Sequence, residues 1–177
     1  SFAVQIGAHR AETAPVVYYV AEMDPLVVAA RVVAQRDKAV HGRVARGLHP
    51  EASLHRVLDG LNLHFVPRSA DPIRDIAAAI DEVQEPNKPT MLVVDYVQLL
   101  ADASTDLRLG TTQAVRALQQ MTEDRGLITL GVSQSSRGGA SRIREGAASA
   151  ASLGDTGAET SEFERSATIQ LVLSFTF

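Results

Sequence analysis

Three apolar runs each close on a side chain that can do chemistry: Glu22 follows Val16 to Ala21, Asp95 ends Met91 to Asp95, and Gln134 follows Ile128 to Ser133. A carboxylate can polarise a water or take its proton. A second carboxylate is a hard oxygen donor suited to magnesium, and an amide can both donate and accept. In open α/β sheets, ligands gather outside the carboxyl ends of the strands. Placed at neighbouring strand ends, these residue types make a set suited to nucleotide hydrolysis. Glu22 would polarise the attacking water, Asp95 would orient magnesium, and Gln134 would sense the terminal phosphate. Asp95 alone says less, because an apolar strand with a terminal Asp equally describes a residue that caps the following turn.

The elements that must position these residues are legible as a pattern. The runs Val16 to Ala21, Leu63 to Pro67, Met91 to Asp95, Ile128 to Ser133 and Thr168 to Phe177 are rich in Val, Ile, Leu and Tyr with few alternating polar positions. That is how strands buried on both faces read. Helical patterns lie between them. Asp24-Pro25 supplies an N-cap and a first-turn proline, and Leu26, Ala29, Ala30, Val33 and Ala34 keep one face apolar to about Lys38. Asp71-Pro72 repeats the device, with Ile73, Ile76, Ala77, Ile80 and Val83 as the inward stripe and Pro86 to Pro89 as the stop. A further helix is expected from about Leu109 to Asp124, with Ala114, Leu118 and Met121 inward and Gly126 at its end, and a short one after Pro50. Strands separated by helices imply parallel pairing through right-handed crossovers, hence an α/β three-layer sandwich with a mostly parallel sheet.

Composition bounds the rest. A chain of 177 residues that is 45% hydrophobic and 21% charged is long enough to bury a core of its own, so one domain over 1–177 is expected. Zero cysteines exclude a disulfide framework, a thiolate zinc site and a cysteine nucleophile, and suit the cytoplasm. The apolar runs are too short to span a membrane, and Ser1 to Ala11 lacks the pattern of a signal peptide. A net charge of -4 gives no global case for nucleic acid, so any such surface must be a local basic patch.

Residues 135–160 break the strand and helix pattern. They are rich in Gly, Ala and Ser and carry Arg137, Arg142 and Arg144. Three guanidiniums on a glycine-rich loop suit phosphate contacts, but the residues alone read more readily as a solvated loop. With no aromatic between Arg137 and Glu162, base stacking is not expected to contribute. The five histidines show no ligand spacing, and the basic residues Arg31, Arg36, Lys38, Arg43 and Arg46 read as a solvated face. Tyr18 and Tyr19 read as sheet residues in the core. Ser133 has no Gly-x-Ser-x-Gly elbow, and no Gly-x-Gly-x-x-Gly follows a strand.

Val20-Ala-Glu22-Met23, Val93-Val-Asp95-Tyr96-Val-Gln98-Leu and Gly131-Val-Ser133-Gln134-Ser-Ser-Arg137 together resemble the successive motifs of the DnaB-type replicative helicase motor, a branch of the RecA-like P-loop ATPases. The stretch from Glu159 to Ala167 resembles, more loosely, the segment before that family's late strand. The resemblance implies a ring-forming, ATP- and magnesium-dependent translocase on single-stranded DNA, with a primase or loader as further partner. It implies Glu22 as catalytic base, Asp95 on magnesium and Gln134 coupling the phosphate to a DNA-gripping loop with Arg137, Arg142 and Arg144. The family's Gly-x-x-x-x-Gly-Lys-Thr loop does not occur among these residues. Ser1 to Ile6 looks like the helix start that directly follows it, which puts Ser1 beside the phosphates. Little hydrolysis is expected from these residues alone, and the arginine that usually follows the final strand is not found after Ser174. A non-hydrolysing RecA-like module that binds DNA or partner subunits is the alternative. A recombinase-like or clock-type relative fits less well, because Tyr96-Val-Gln98 is more typical of the helicases.

Overall fold

The computed structural model describes residues 2–101 and 107–133. The strands β1 (Val16–Val20), β2 (Leu63–Pro67), β3 (Met91–Asp95) and β4 (Ile128–Val132) form one sheet in the order β2-β1-β3-β4, with every neighbouring pair parallel. Successive side chains on a strand point to opposite faces, and both faces here are covered. Val16, Tyr18, Val20, Met91 and Val93 pack under α1 (Phe2–Arg10) and α2 (Pro25–Arg36). Val17, Tyr19, Leu92 and Val94 pack under α5 (Pro72–Val83) and α6 (Leu107–Arg125). The result is the expected three-layer sandwich, and it explains why β1 and β3 are nearly unbroken apolar runs.

The sequence ranges hold to within a residue for β1, β2, β3 and β4. Thr168 to Phe177 lies outside the described residues. The outer strands among the described residues are the ones that depart from two-sided burial: His64 and Pro67 on β2 are exposed, and Ile128 on β4 is too. Asp24 Oδ1 accepts from Leu26 N at 2.7 Å and Asp71 Oδ1 from Arg74 N at 3.2 Å, so both Asp-Pro pairs open helices as expected. Ile76 and Ile80 are fully buried on α5, with Ile73, Ala77 and Val83 packed beside them. The C-terminal end of α6 is fixed to α5 by a fork from Arg125 to Asp81, Nε to Oδ1 at 2.9 Å and Nη2 to Oδ2 at 3.1 Å.

On α2 the single apolar stripe needs correction. Val28 and Val32 face the sheet, while Ala30, Val33 and Ala34 face α3 (His41–Val44) and α4 (Glu51–Leu58). The helix is covered on two sides, which leaves Leu26, in its first turn, 77% exposed. The short helix expected after Pro50 is α4, whereas α3 and the 3-10 helix Val97–Leu100 carry no periodicity long enough to read. Arg36, assigned to a solvated face, instead pairs with Glu12 and donates Nη2 to Ala8 O at 2.8 Å, tying α2 to the end of α1.

Candidate functional site

The strand order reverses between β1 and β3: from β1 the chain crosses outward to β2, then back across β1 to β3. Such a switch point is where open α/β sheets leave a crevice at their carboxyl edge. Val20 pairs with Asp95, and Ala21 N donates to Asp95 O at 3.3 Å, so β1 and β3 end level with each other. Glu22 leaves β1 just beyond that point and is exposed; Asp95 closes β3 half-buried. Asp95 also pairs with Val132, so the end of β4 lies on the other side of β3. Ser133 follows, and its Oγ accepts from Gln98 Nε2 at 2.9 Å, linking the segment after β3 to the segment after β4. The Asp95–Tyr96 peptide is cis.

The helices aim their N-termini at the same edge. At its other end α1 is anchored where the strands begin: Arg10 Nη2 donates to Pro89 O at 3.1 Å and Ala11 O accepts from Asn62 N at 2.9 Å. The first turn of α1 therefore lies over the strand ends, as does that of α2, which follows Glu22 directly. The unsatisfied N–H groups and partial positive charge of helix N-termini favour an anion there.

Asp95 has a partner that the sequence reading did not anticipate. Tyr18, read as a core residue and indeed buried, donates its hydroxyl to Asp95 Oδ2 at 2.9 Å. The only sequence-level signal was a tyrosine on the same face as Asp95, diagonally across from it in the parallel register.

Of the seven candidate residues, the structure brings Glu22 and Asp95 to one edge; Ser1, Gln134, Arg137, Arg142 and Arg144 lie outside the described residues. The histidines do not converge, and among the described residues no three His, Asp or Glu side chains form a metal cluster. A groove of 450 Å³ at the opposite edge of the sheet is lined by Glu12, Thr13, Asn62, His64, Glu85 and Lys88. Its polar groups satisfy one another, as in Asn62 Nδ2 to Glu85 Oε1 at 3.0 Å and Lys88 Nζ to Glu85 Oε2 at 2.7 Å. No helix among the described residues is long and apolar enough to cross a membrane.

A parallel sheet covered on both faces by helices, with two acidic residues at its switch point, is a doubly wound α/β architecture. Residues 1–140 match the AAA domain family model, and the chain belongs to that family. Two solved structures share the fold. A DnaB-like replicative helicase, described with its interactions with primase, has a TM-score of 0.66 and 17% identity over 81% of this chain and 36% of that one. A second structure, described as an ATPase domain, has a TM-score of 0.69 and 20% identity over 94% of this chain and 61% of that one. The chain thus spans less than two thirds of either structure. Among curated proteins, nothing matches the sequence.

Proposed function

We propose that this chain is the ATP-driven motor core of a DnaB-type DNA helicase, coupling ATP hydrolysis to translocation on single-stranded DNA. The observation that supports the reading is the level ending of β1 and β3, Val20 against Asp95, with Glu22 following β1 and Asp95 closing β3 at the switch point of the sheet. Glu22, exposed beyond its strand, has the freedom to polarise an attacking water. Asp95 is the residue that would hold magnesium, whose chemistry is to neutralise charge on the β and γ phosphates. Ser1, which precedes α1 in sequence, would contact the nucleotide phosphates. Gln134 follows Ser133 and would couple the terminal phosphate to residues 135–160. There Arg137, Arg142 and Arg144 would hold the DNA backbone without reading its sequence.

On this reading 1–177 is a single RecA-like core, acting in the cytoplasm as one subunit of a ring, with single-stranded DNA as substrate. The likeness to a helicase described with primase supports a primase as further partner, and a loader is the other candidate. The test is ATP turnover and strand unwinding by the full-length protein with magnesium. Turnover stimulated by single-stranded DNA and abolished by Asp95→Asn is expected. Turnover indifferent to DNA and to Asp95 would contradict the reading, and no turnover at all would favour the non-hydrolysing module.

A further inference from the structure

Tyr18 is buried, but its hydroxyl is not an idle end. The ring is held from two directions before it reaches Asp95. Gly7 on α1 lies over it so closely that a Cβ there would stand 3.5 Å from Tyr18 Cδ2, and Phe65 on β2 packs beside it with ring centroids 6.1 Å apart at 55°. Tyr18 pairs with Val93, so Asp95 is its diagonal neighbour on the same face, within reach of an aromatic side chain. Tyr has two rotatable side-chain bonds, and with the ring held the hydroxyl reaches Asp95 Oδ2 at 2.9 Å.

We propose that Tyr18 is a positioning residue for Asp95, its hydroxyl occupying Oδ2 and fixing the carboxylate so that Oδ1 faces the metal or a metal-bound water. The proposal rests on the assignment of Asp95 to magnesium. A hydrogen bond to an ionised acceptor is stronger than a neutral one. An oxygen already engaged by a phenol is also less available for direct coordination, which favours contact through one oxygen. Phe65, Tyr18 and Asp95 then form a line across β2, β1 and β3 through which the edge of the sheet sets the carboxylate.

The test uses manganese as the probe, its binding to the full-length protein with a non-hydrolysable ATP analogue followed by electron paramagnetic resonance. Four proteins are compared: wild type, Tyr18→Phe, Asp95→Asn and the double variant. Phenylalanine keeps the ring packing and removes only the hydroxyl. Tyr18→Phe is expected to weaken manganese binding about fivefold, the scale of one hydrogen bond. It should leave metal-free nucleotide affinity and the thermal midpoint close to wild type, and have no further effect in the Asp95→Asn background. If Asp95→Asn weakens manganese binding and Tyr18→Phe does not, Tyr18 is packing alone and the proposal is wrong while the site reading stands. An equal Tyr18→Phe effect with and without Asp95 also overturns it. If Asp95→Asn itself leaves manganese binding unchanged, the magnesium assignment fails and the positioning role with it.

Discussion

Tyr18 and Tyr19 are adjacent on β1 and send their hydroxyls to opposite faces of the sheet: Tyr18 donates to Asp95, while Tyr19 Oη is buried with no partner among the described residues. Burial pushes the Tyr19 phenol pKa up, outweighing the opposing influence of Arg68. A buried hydroxyl without a partner is a cost of roughly 1–3 kcal/mol that phenylalanine does not carry. Tyr19→Phe is therefore expected to be neutral or to stabilise by up to about 1 kcal/mol in denaturant unfolding. A loss of that size would show that the hydroxyl has a partner after all.

Gly7 sets how closely α1 approaches the sheet. A Cβ there would meet Tyr18 at 3.5 Å and Val93 at 3.6 Å, ordinary van der Waals distances. Gly7→Ala therefore fits, and it is expected to stabilise by up to about 1 kcal/mol through helix propensity. Gly7→Val adds methyls with nowhere to go, and overpacking should cost about 1–3 kcal/mol. Thermal unfolding of the pair decides; equal stability of the two variants would mean that α1 shifts freely over Tyr18.

Asp37 joins α2 to α4. Its Oδ2 lies 2.8 Å from His49 Nε2 and its Oδ1 accepts from Arg56 Nη2 at 3.0 Å. Hydrogen bonds from His49, then Ser53 and Arg56, hold its carboxyl pKa at about 2, against an ordinary 3.8. Because the folded pKa is the lower one, the stability that Asp37 contributes is complete above about pH 4 and is lost as pH falls toward 2. Wild type should lose stability across that window and Asp37→Asn should lose less. Parallel pH profiles for the two would show that Asp37 contributes nothing there.

Glu22 is the residue whose removal should separate binding from turnover. A positioned base contributes roughly 10²- to 10⁴-fold, so Glu22→Gln in the full-length protein should cut ATP turnover at least about a hundredfold and leave nucleotide affinity near wild type. Unchanged turnover would remove Glu22 from the mechanism.

The sheet was readable because a central parallel strand is apolar throughout: Val16 to Val20 and Met91 to Asp95 have no polar interruption before their ends. The Asp-Pro pairs at Asp24 and Asp71 were readable because proline and an acceptor mark a helix start chemically. What escaped was set by tertiary contact. Leu26 belongs to the apolar pattern of α2 but is exposed, and the ion pair of Arg36 with Glu12 joins the end of α2 to the turn after α1, across the intervening strand. In the site, the acids were visible as residue types at strand ends. The Tyr18 hydroxyl was not, because its partner is fixed by register, which a single strand does not encode.

The central claim is that ATP binds at the carboxyl edge of β1 and β3. A crystal structure of the full-length protein with magnesium and a non-hydrolysable ATP analogue tests it directly. The phosphates are expected over the first turn of α1, the metal on the Asp95 side and Glu22 facing the terminal phosphate. An analogue seated at the opposite edge of the sheet, in the groove lined by Asn62, His64 and Glu85, would contradict it.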